Sequence, residues 1–564
     1  MAKRNIRMVK APAQAKTIPD REYPDLHEHL DRLEKEGLLI RVKEAVNKDQ
    51  DMHPLVRWQF RGGIKERDRK AFLFEKPEDS KGKAYDIPVA IGVLAANRRI
   101  YRIGLGCDQD TDINELWAKA KAHPIAPVEI PSAAAPVHEI ILEGAQLKKP
   151  GQGVDGIPVP ISTPGWDNAP YVSAAHFISQ DPESGVANIG TYRAMIKARD
   201  RIGCNPSIEL GQGIYQHWQK YKERGEKMPV ALCIGGVPAI SYVAAQKLGY
   251  DVDEFSVAGG LVDAPIRVVQ ARTVPLMVPA DAEIIVEGYV STEWLEPEAP
   301  FGESHGHVNP KEYNPFMDVT CITRRKQAIL CSIISQVTPS ESSVIKKMAY
   351  EPLYLDHLRN GIGVKSVVRV MLHEPLTATQ KLTIIQMRKP APAEVWRALM
   401  GAVAFRPSMS KIVIAVDEDI DPDNLDAVFW AMGYRSKPHR DVQIMQGTDV
   451  GHAPRHDARG SAGDSCLLWD ATLKEKLPPI SLPTQEYMER GRKLWEKLGL
   501  PDLEPESPWF GYSLGDWNKE LDAEAILATR GEYWKTGVKI AKQRRSTKDM
   551  APNTSFYGQE EEEE

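Results

Sequence analysis

Cysteine is scarce in this chain of 564 residues: Cys107, Cys204, Cys233, Cys321, Cys331 and Cys466 are scattered, and no two form a C-x-x-C pair. That spacing argues against a zinc ribbon or a disulfide framework and fits a reducing compartment. Long apolar runs are missing too, and none approaches the roughly 20 residues of a membrane span. The basic stretch 1–16 has no apolar core, so it does not read as a secretory signal, and a cytoplasmic protein without a membrane partner is expected. Positive charge is not in excess: 72 Lys and Arg against 78 Asp and Glu leave −6, which gives no footing for a nucleic-acid partner. Neither a G-x-G-x-x-G nor a Walker A stretch occurs, so a dinucleotide or ATP enzyme is not expected. What remains is ordinary globular composition, 42% apolar and 27% charged, in a length suited to two or three domains.

The texture changes along the chain. Residues 1–22 mix Lys, Arg, Pro and Ala without period and read as a flexible arm. From Tyr23 the spacing is helical, with Leu26, Leu30 and Leu33 on one face, and Gly37 ends that helix. Strands at 38–42, 71–74 and 87–93 and a helix at 112–122 make 23–145 an N-terminal α/β domain. Proline and glycine crowd 149–170. Short β-branched runs follow at 230–234, 266–269, 283–286 and 321–323, interrupted by helices near 214–222 and 239–246. That pattern suggests a small β-barrel or sandwich over 146–340. In 341–478 a helix at 394–400, a strand at 411–416, a helix at 425–432 and a strand at 441–444 read as a C-terminal α/β domain with a βαβ-like unit. The Trp-rich tail 479–564, amphipathic at 486–498 and 523–537, is expected to pack on another subunit, and its acidic end, Glu560 to Glu564, to be disordered.

Chemistry concentrates between 188 and 306. Asn188-Ile189-Gly190-Thr191-Tyr192-Arg193 sets an amide and a guanidinium five residues apart, and a planar guanidinium orients a carboxylate bidentately. Alone, Arg193 would read as a surface arginine; Asn188 and the close backbone approach Gly190 permits raise its interest. Glu298-Ala299-Pro300-Phe301-Gly302-Glu303 places two acids in a stiffened loop, although Glu293 and Glu296 nearby also fit a solvated acidic loop. Two carboxyls beside one arginine would split their pKa values, leaving one ionised and one able to hold a proton near neutral pH. Gly302-Glu303-Ser304-His305-Gly306 is a literal G-x-S-x-G, but prolines flank it where a nucleophile elbow needs a strand before and a helix after. His305 and His307 beside Glu303 read as loop histidines rather than as a metal site. Glu254, in Asp253-Glu254-Phe255 ahead of the small residues Ala258-Gly259-Gly260, could be a cap at a bend or a ligand for a hard metal.

Taken together and in order, these stretches resemble the UbiD family of reversible (de)carboxylases that use prenylated FMN. The likeness spans roughly residues 24–475. It rests also on Met228-Pro229-Val230-Ala231, on Leu276-Met277-Val278-Pro279-Ala280 with Glu283 to Gly288, on Asp417-Glu418-Asp419-Ile420-Asp421, on Trp430-Ala431 and on Trp469-Asp470-Ala471-Thr472. The resemblance implies a UbiD-like α/β (α+β) fold with a central split β-barrel that binds the flavin. It implies that Arg193, Glu298 and Glu303 form the catalytic trio, with Glu303 as proton donor. Asn188 and Glu254 would be ligands of a divalent metal, usually manganese, that bridges to the cofactor phosphate, with potassium as a further cation. Thr191, Tyr192, Arg193, Asn205, Pro206, Ser207, Leu210 and Gly211 would contact the flavin, with 205–207 on the following strand. The family's third metal ligand is commonly a histidine. Here Glu209 stands at that position by ungapped counting, with Gln212 and His217 as alternatives.

The implied reaction is the reversible, non-oxidative decarboxylation of an aromatic or other α,β-unsaturated acid. Heteroaromatic acids and aryl carboxylates carrying a CoA thioester also fit. A flavin prenyltransferase would supply the cofactor, and a homo-oligomer, dimer or hexamer, is expected. A non-catalytic subunit of a multi-subunit aryl carboxylase and a serine hydrolase acting through Ser304 are the competing readings.

Overall fold

The computed structural model describes residues 20–206, 213–246, 248–250, 252–374, 381–406, 410–448, 463–503, 505, 515 and 517–553. The stretch 1–19 and the acidic end of the tail therefore lie outside the described residues, as do Ser207, Glu209, Leu210, Gly211 and Gln212. The chain divides into one unit of 1–418 with 425–472 and a second of 419–424 with 473–564.

In the first unit the opening helix is Leu26–Lys35, capped by Asp25, with Leu26, Leu30 and Leu33 buried as their spacing requires. The chain leaves it through Gly37, whose φ of +68° suits a residue without Cβ. Strands Leu39–Asn47, Ala71–Glu78 and Val89–Ile91 follow and pair in that order. The fourth member of their sheet, Leu330–Ser332, comes from far along the chain and runs parallel to Val89–Ile91. Two helices that the sequence reading did not include, Met52–Arg61 and Arg98–Gly104, belong to this layer.

The central sheet has nine strands. Its order is Tyr171–Val172, Ala194–Ala198, Arg201–Gly203, Phe316–Arg324, Ile284–Val290, Met228–Ile234, Ala175–Gln180 and Ala187–Thr191, with Ile140–Glu143 also pairing Phe316–Arg324. Every residue of Met228–Ile234 is buried, so this mid-sheet strand is covered on both faces. The sheet forms a half-barrel where the resemblance implied a split β-barrel.

Three expectations are corrected. The small-residue run at 258–260 is no bend: it lies inside the helix Glu254–Val262. Its glycines let helices touch, since a Cβ on Gly260 would stand 2.8 Å from the Ala120 carbonyl oxygen and one on Gly259 2.6 Å from that of Ile125. Asn205 and Pro206 do not lie on a strand, because Arg201–Gly203 ends before them. The unit at 411–444 is not a simple βαβ: Ile412–Asp417 runs parallel to Asp464–Asp470, and Val442–Thr448 is an outer strand antiparallel to the latter. Leu382–Met387, the helix Pro392–Phe405 and the parallel strand Ile412–Asp417 do make a βαβ unit.

The second unit carries helices Gln485–Lys497, Lys519–Thr529 and Tyr533–Ala541, none with a buried residue. The single helix expected over 523–537 is two, separated at Gly531, where φ is +77°. Among the described residues no helix is long and apolar enough to cross a membrane.

Candidate active site

Arg193 follows the strand Ala187–Thr191, and Glu298 ends the short strand Glu296–Glu298, which is paired with Glu312–Asn314. Glu303 opens the turn of a small hairpin in which Phe301–Gly302 pairs with Val308–Asn309. The Glu303 amide donates to the His307 carbonyl (2.9 Å) and Gly306 donates back to Glu303 (3.0 Å), so the turn is closed on itself.

These elements bring the three side chains together. Arg193 Nε donates to both Glu298 oxygens (3.0 and 3.2 Å) and Nη2 donates to Oε2 (2.6 Å). Nη1 donates to Glu303 Oε1. Asn314 Nδ2 adds a bond to Glu298 Oε2 (3.1 Å). The side chains are 6, 1 and 11% exposed for Arg193, Glu298 and Glu303, so solvent screens these charges little. Burial works against the guanidinium's charge, but Glu303 and Glu298 outweigh it and raise its pKa. Phe301 lies beneath the guanidinium, 5.5 Å from its carbon, and packs on Tyr171 with ring centroids 4.3 Å apart. From the helix Glu341–Asp356, Lys346 feels the charge of Glu303; burial lowers its pKa against that attraction.

The segment 163–171 grips the loop between the two acids. The Tyr171 hydroxyl accepts from the Ala299 amide (3.0 Å), Asn168 Nδ2 donates to the Ala299 carbonyl (3.0 Å), and Asp167 Oδ1 accepts from the Gly302 amide (2.8 Å). Burial pushes the Asp167 carboxyl up to about 6, while the Gly302 and Thr163 amides hold it down.

A second polar site lies on the same strand. Asn188 and Glu254 are the two predicted metal ligands that the structure describes, and each ends in a buried atom without a partner, Nδ2 of Asn188 and Oε2 of Glu254. Asp253, not Glu254, takes the cap role at its helix by accepting from Phe255. Burial, with Asp253 adding to it, pushes the Glu254 carboxyl up to about 8. A buried carboxyl of this kind fits a cation that would replace its proton. Burial raises the pKa of the Tyr192 hydroxyl, the Asn188 side chain lowers it and the charge of Glu254 raises it further. A Cβ on Gly213 would meet Asn188 Oδ1 at 2.1 Å, which shows how closely the next helix approaches. His217 stands nearby: its Nδ1 bonds Ser179 Oγ (2.9 Å), and Ser179 is the register partner of Asn188. Among the described residues no three His, Cys, Asp or Glu side chains cluster as a metal site. Thr191 Oγ1 bonds His176 Nδ1 (2.9 Å), and His176 Nε2 bonds Ser241 Oγ (2.8 Å), which fixes the Thr191 hydroxyl.

Ser304 sits in a hairpin turn that leads into a strand, not on a strand-to-helix elbow. The sequence reading missed Asn314, Tyr171 and Asp167, whose roles arise only when distant segments meet. Phe301 alone stood inside a quoted motif.

Residues 30–120, 129–337 and 343–471 match, in that order, the N-terminal, Rift-related and C-terminal domains of 3-octaprenyl-4-hydroxybenzoate carboxy-lyase. An uncharacterized protein of Aquifex aeolicus is 30% identical over 515 residues, covering 85% of this chain and 99% of its own length. Among solved structures, the UbiD-class enzyme HmfF from Pelotomaculum thermopropionicum, in an evolved dimeric form with prenylated FMN, is similar at 27% identity. Its TM-score is 0.71, over 82% of this chain and 98% of that one. The closed form of the Sedimentibacter hydroxybenzoicus vanillic acid decarboxylase is similar at 27% identity and TM-score 0.70, over 84 and 99% of the two chains.

Proposed function

Because the chain belongs to the UbiD family and is a carboxy-lyase, we propose that it decarboxylates an aromatic carboxylic acid reversibly and without oxidation, on a prenylated FMN anchored by a divalent metal. The observation that carries this reading is the buried guanidinium of Arg193 bracketed by Glu298 and Glu303. The aromatic substrate class and the flavin are supported by the vanillic acid decarboxylase and by HmfF with its bound prenylated FMN.

Loss of CO₂ from an sp² carbon needs an electron sink that side chains cannot provide, and the flavin is the group that supplies it. The chain's own residues do the rest. Arg193 orients the substrate carboxylate. Its Nε and Nη2 fork, with Asn314, suits an ionised Glu298. Glu303, joined to the guanidinium through Nη1 and carried on a turn, delivers the proton to the carbon that CO₂ vacates. Asn188 and Glu254 would hold the metal, manganese, with Glu209, or else Gln212 or His217, completing the set; potassium is a further cation of this proposal. Thr191, Tyr192, Asn205 and Pro206 would line the flavin together with Ser207, Leu210 and Gly211. The exposed apolar side chains of the tail, among them Trp495, Trp534 and Ile540, support a homo-oligomer.

The test is production of the chain alongside a flavin prenyltransferase, then absorption and mass spectra of the bound cofactor and CO₂ release from a panel of benzoic and heteroaromatic acids, vanillate included. A prenylated flavin and turnover of an aromatic acid are expected. A protein that retains no flavin in either form would refute the reading.

A further inference from the structure

We propose that Asp167 is a positioning residue for the reaction, holding the Gly302 amide so that the following residue, Glu303, is aimed at Arg193. This rests on the reading of Glu303 as proton donor. Only Ala299, Pro300, Phe301 and Gly302 separate the two acids of the trio, so the direction in which Glu303 leaves the backbone depends on how that span is held.

Both ends of the span are held from one side. Ala299 is bonded at its amide by the Tyr171 hydroxyl and at its carbonyl by Asn168. These bonds fix a backbone with φ of +79°, uncommon for a residue other than glycine. That end serves Glu298. At the other end Asp167 uses both carboxylate oxygens: Oδ2 accepts from its own turn at the Thr163 amide (2.7 Å), and Oδ1 reaches across to the Gly302 amide (2.8 Å). The Asp167 amide donates to the Thr163 carbonyl (3.0 Å), so the carboxylate sits on a closed turn and cannot drift with the loop it holds. The Thr163 side chain lies against the loop: a Cβ on Gly302 would crowd its Oγ1, so glycine at 302 lets the two segments meet without moving that side chain. A carboxylate accepting two main-chain amides is a stronger hold than a neutral acceptor, and here it acts one residue from the proton donor while donating nothing to the chemistry itself.

The test compares Asp167→Ala and the isosteric Asp167→Asn with the parent protein, in two measurements. The first is amide hydrogen exchange in the unloaded protein. The peptide covering 299–309 is expected to exchange about tenfold faster in Asp167→Ala, with Asp167→Asn between the two and the peptide covering 284–290 unchanged. The second is turnover by the flavin-loaded enzyme with vanillate as first probe. The expected result is kcat lowered about tenfold in Asp167→Ala and partly restored in Asp167→Asn, with KM within twofold and flavin content unchanged. Unaltered exchange at 299–309 would overturn the proposal, as would faster exchange with unaltered kcat. Parallel loss of soluble protein and flavin in both variants would mark Asp167 as a folding residue and also overturn it. Should the parent bind no flavin, the proposed function falls while exchange at Gly302 still decides whether Asp167 holds the loop.

Discussion

Glu303→Gln and Glu298→Gln each replace a carboxyl by an amide on two sides of one guanidinium, and their effects should differ in kind. Glu303 meets Arg193 through Nη1, its Oε2 accepts from the Ser304 amide (3.3 Å), and its side chain is 11% exposed. In Glu303→Gln the guanidinium keeps its contacts with Glu298 and the amide oxygen can still accept, so the cost to stability should be that of weakened hydrogen bonds, about 1–2 kcal/mol. The cost to catalysis should be far larger. Losing a positioned general acid takes away roughly 10²–10⁴-fold in rate, about 3–5 kcal/mol on the barrier. Glu298 is the reverse case: 1% exposed, it meets both Nε and Nη2 and also Asn314. Glu298→Gln leaves a buried guanidinium with one acidic partner and replaces an acceptor by a donor, a change of the order of 3–5 kcal/mol in stability. The assay is a thermal melt and flavin content for each variant, followed by single-turnover release of CO₂. Glu303→Gln should melt close to the parent, retain its flavin and lose turnover. Glu298→Gln should lose both stability and turnover. Turnover of Glu303→Gln within threefold of the parent would remove Glu303 from the acid role.

Two further outcomes are expected. Glu254→Gln replaces a buried carboxyl by a neutral isostere, so the metal-free protein should be no less stable, while manganese should no longer raise its melting temperature and flavin retention should fall; metal-dependent stabilisation equal to the parent's would refute the ligand role. His53 is fully buried and bonded to Ser332, and burial lowers its pKa to about 3 against 6.5 for a free imidazole. Its fold contribution is therefore present above pH 6.5 and lost as pH falls from 6.5 toward 3, because the unfolded chain takes up a proton the fold refuses. Between pH 7 and pH 5 that amounts to about 2 kcal/mol, so His53→Gln should lose less stability on acidification than the parent, and parallel melting curves would refute the point.

The elements that sequence marks by period were legible. Leu26, Leu30 and Leu33 repeat at helical spacing and are buried on one face, and the all-apolar stretch within Met228–Ile234 is a covered strand. The trio was legible because Arg193, Glu298 and Glu303 lie in motifs whose order along the chain carries the resemblance, and the structure joins all three. The hidden features depend on contacts between distant segments. Helix Met52–Arg61 buries Met52, Val56 and Phe60 at a spacing of four, yet Pro54 and intervening polar residues mask the pattern. Gly259 and Gly260 look like a bend until the carbonyls of Ile125 and Ala120 are seen against them. Asp167, Tyr171 and Asn314 have no local signature: each matters through one hydrogen bond to a segment more than ten residues away.

If the Arg193 trio faces a metal-anchored flavin, a crystal structure of the chain produced with a flavin prenyltransferase and manganese will display that arrangement. The expected result is a flavin ring beside Arg193 and Glu303, with its phosphate and the metal at Asn188 and Glu254. A flavin bound away from these side chains, or a metal held by other residues, would contradict it.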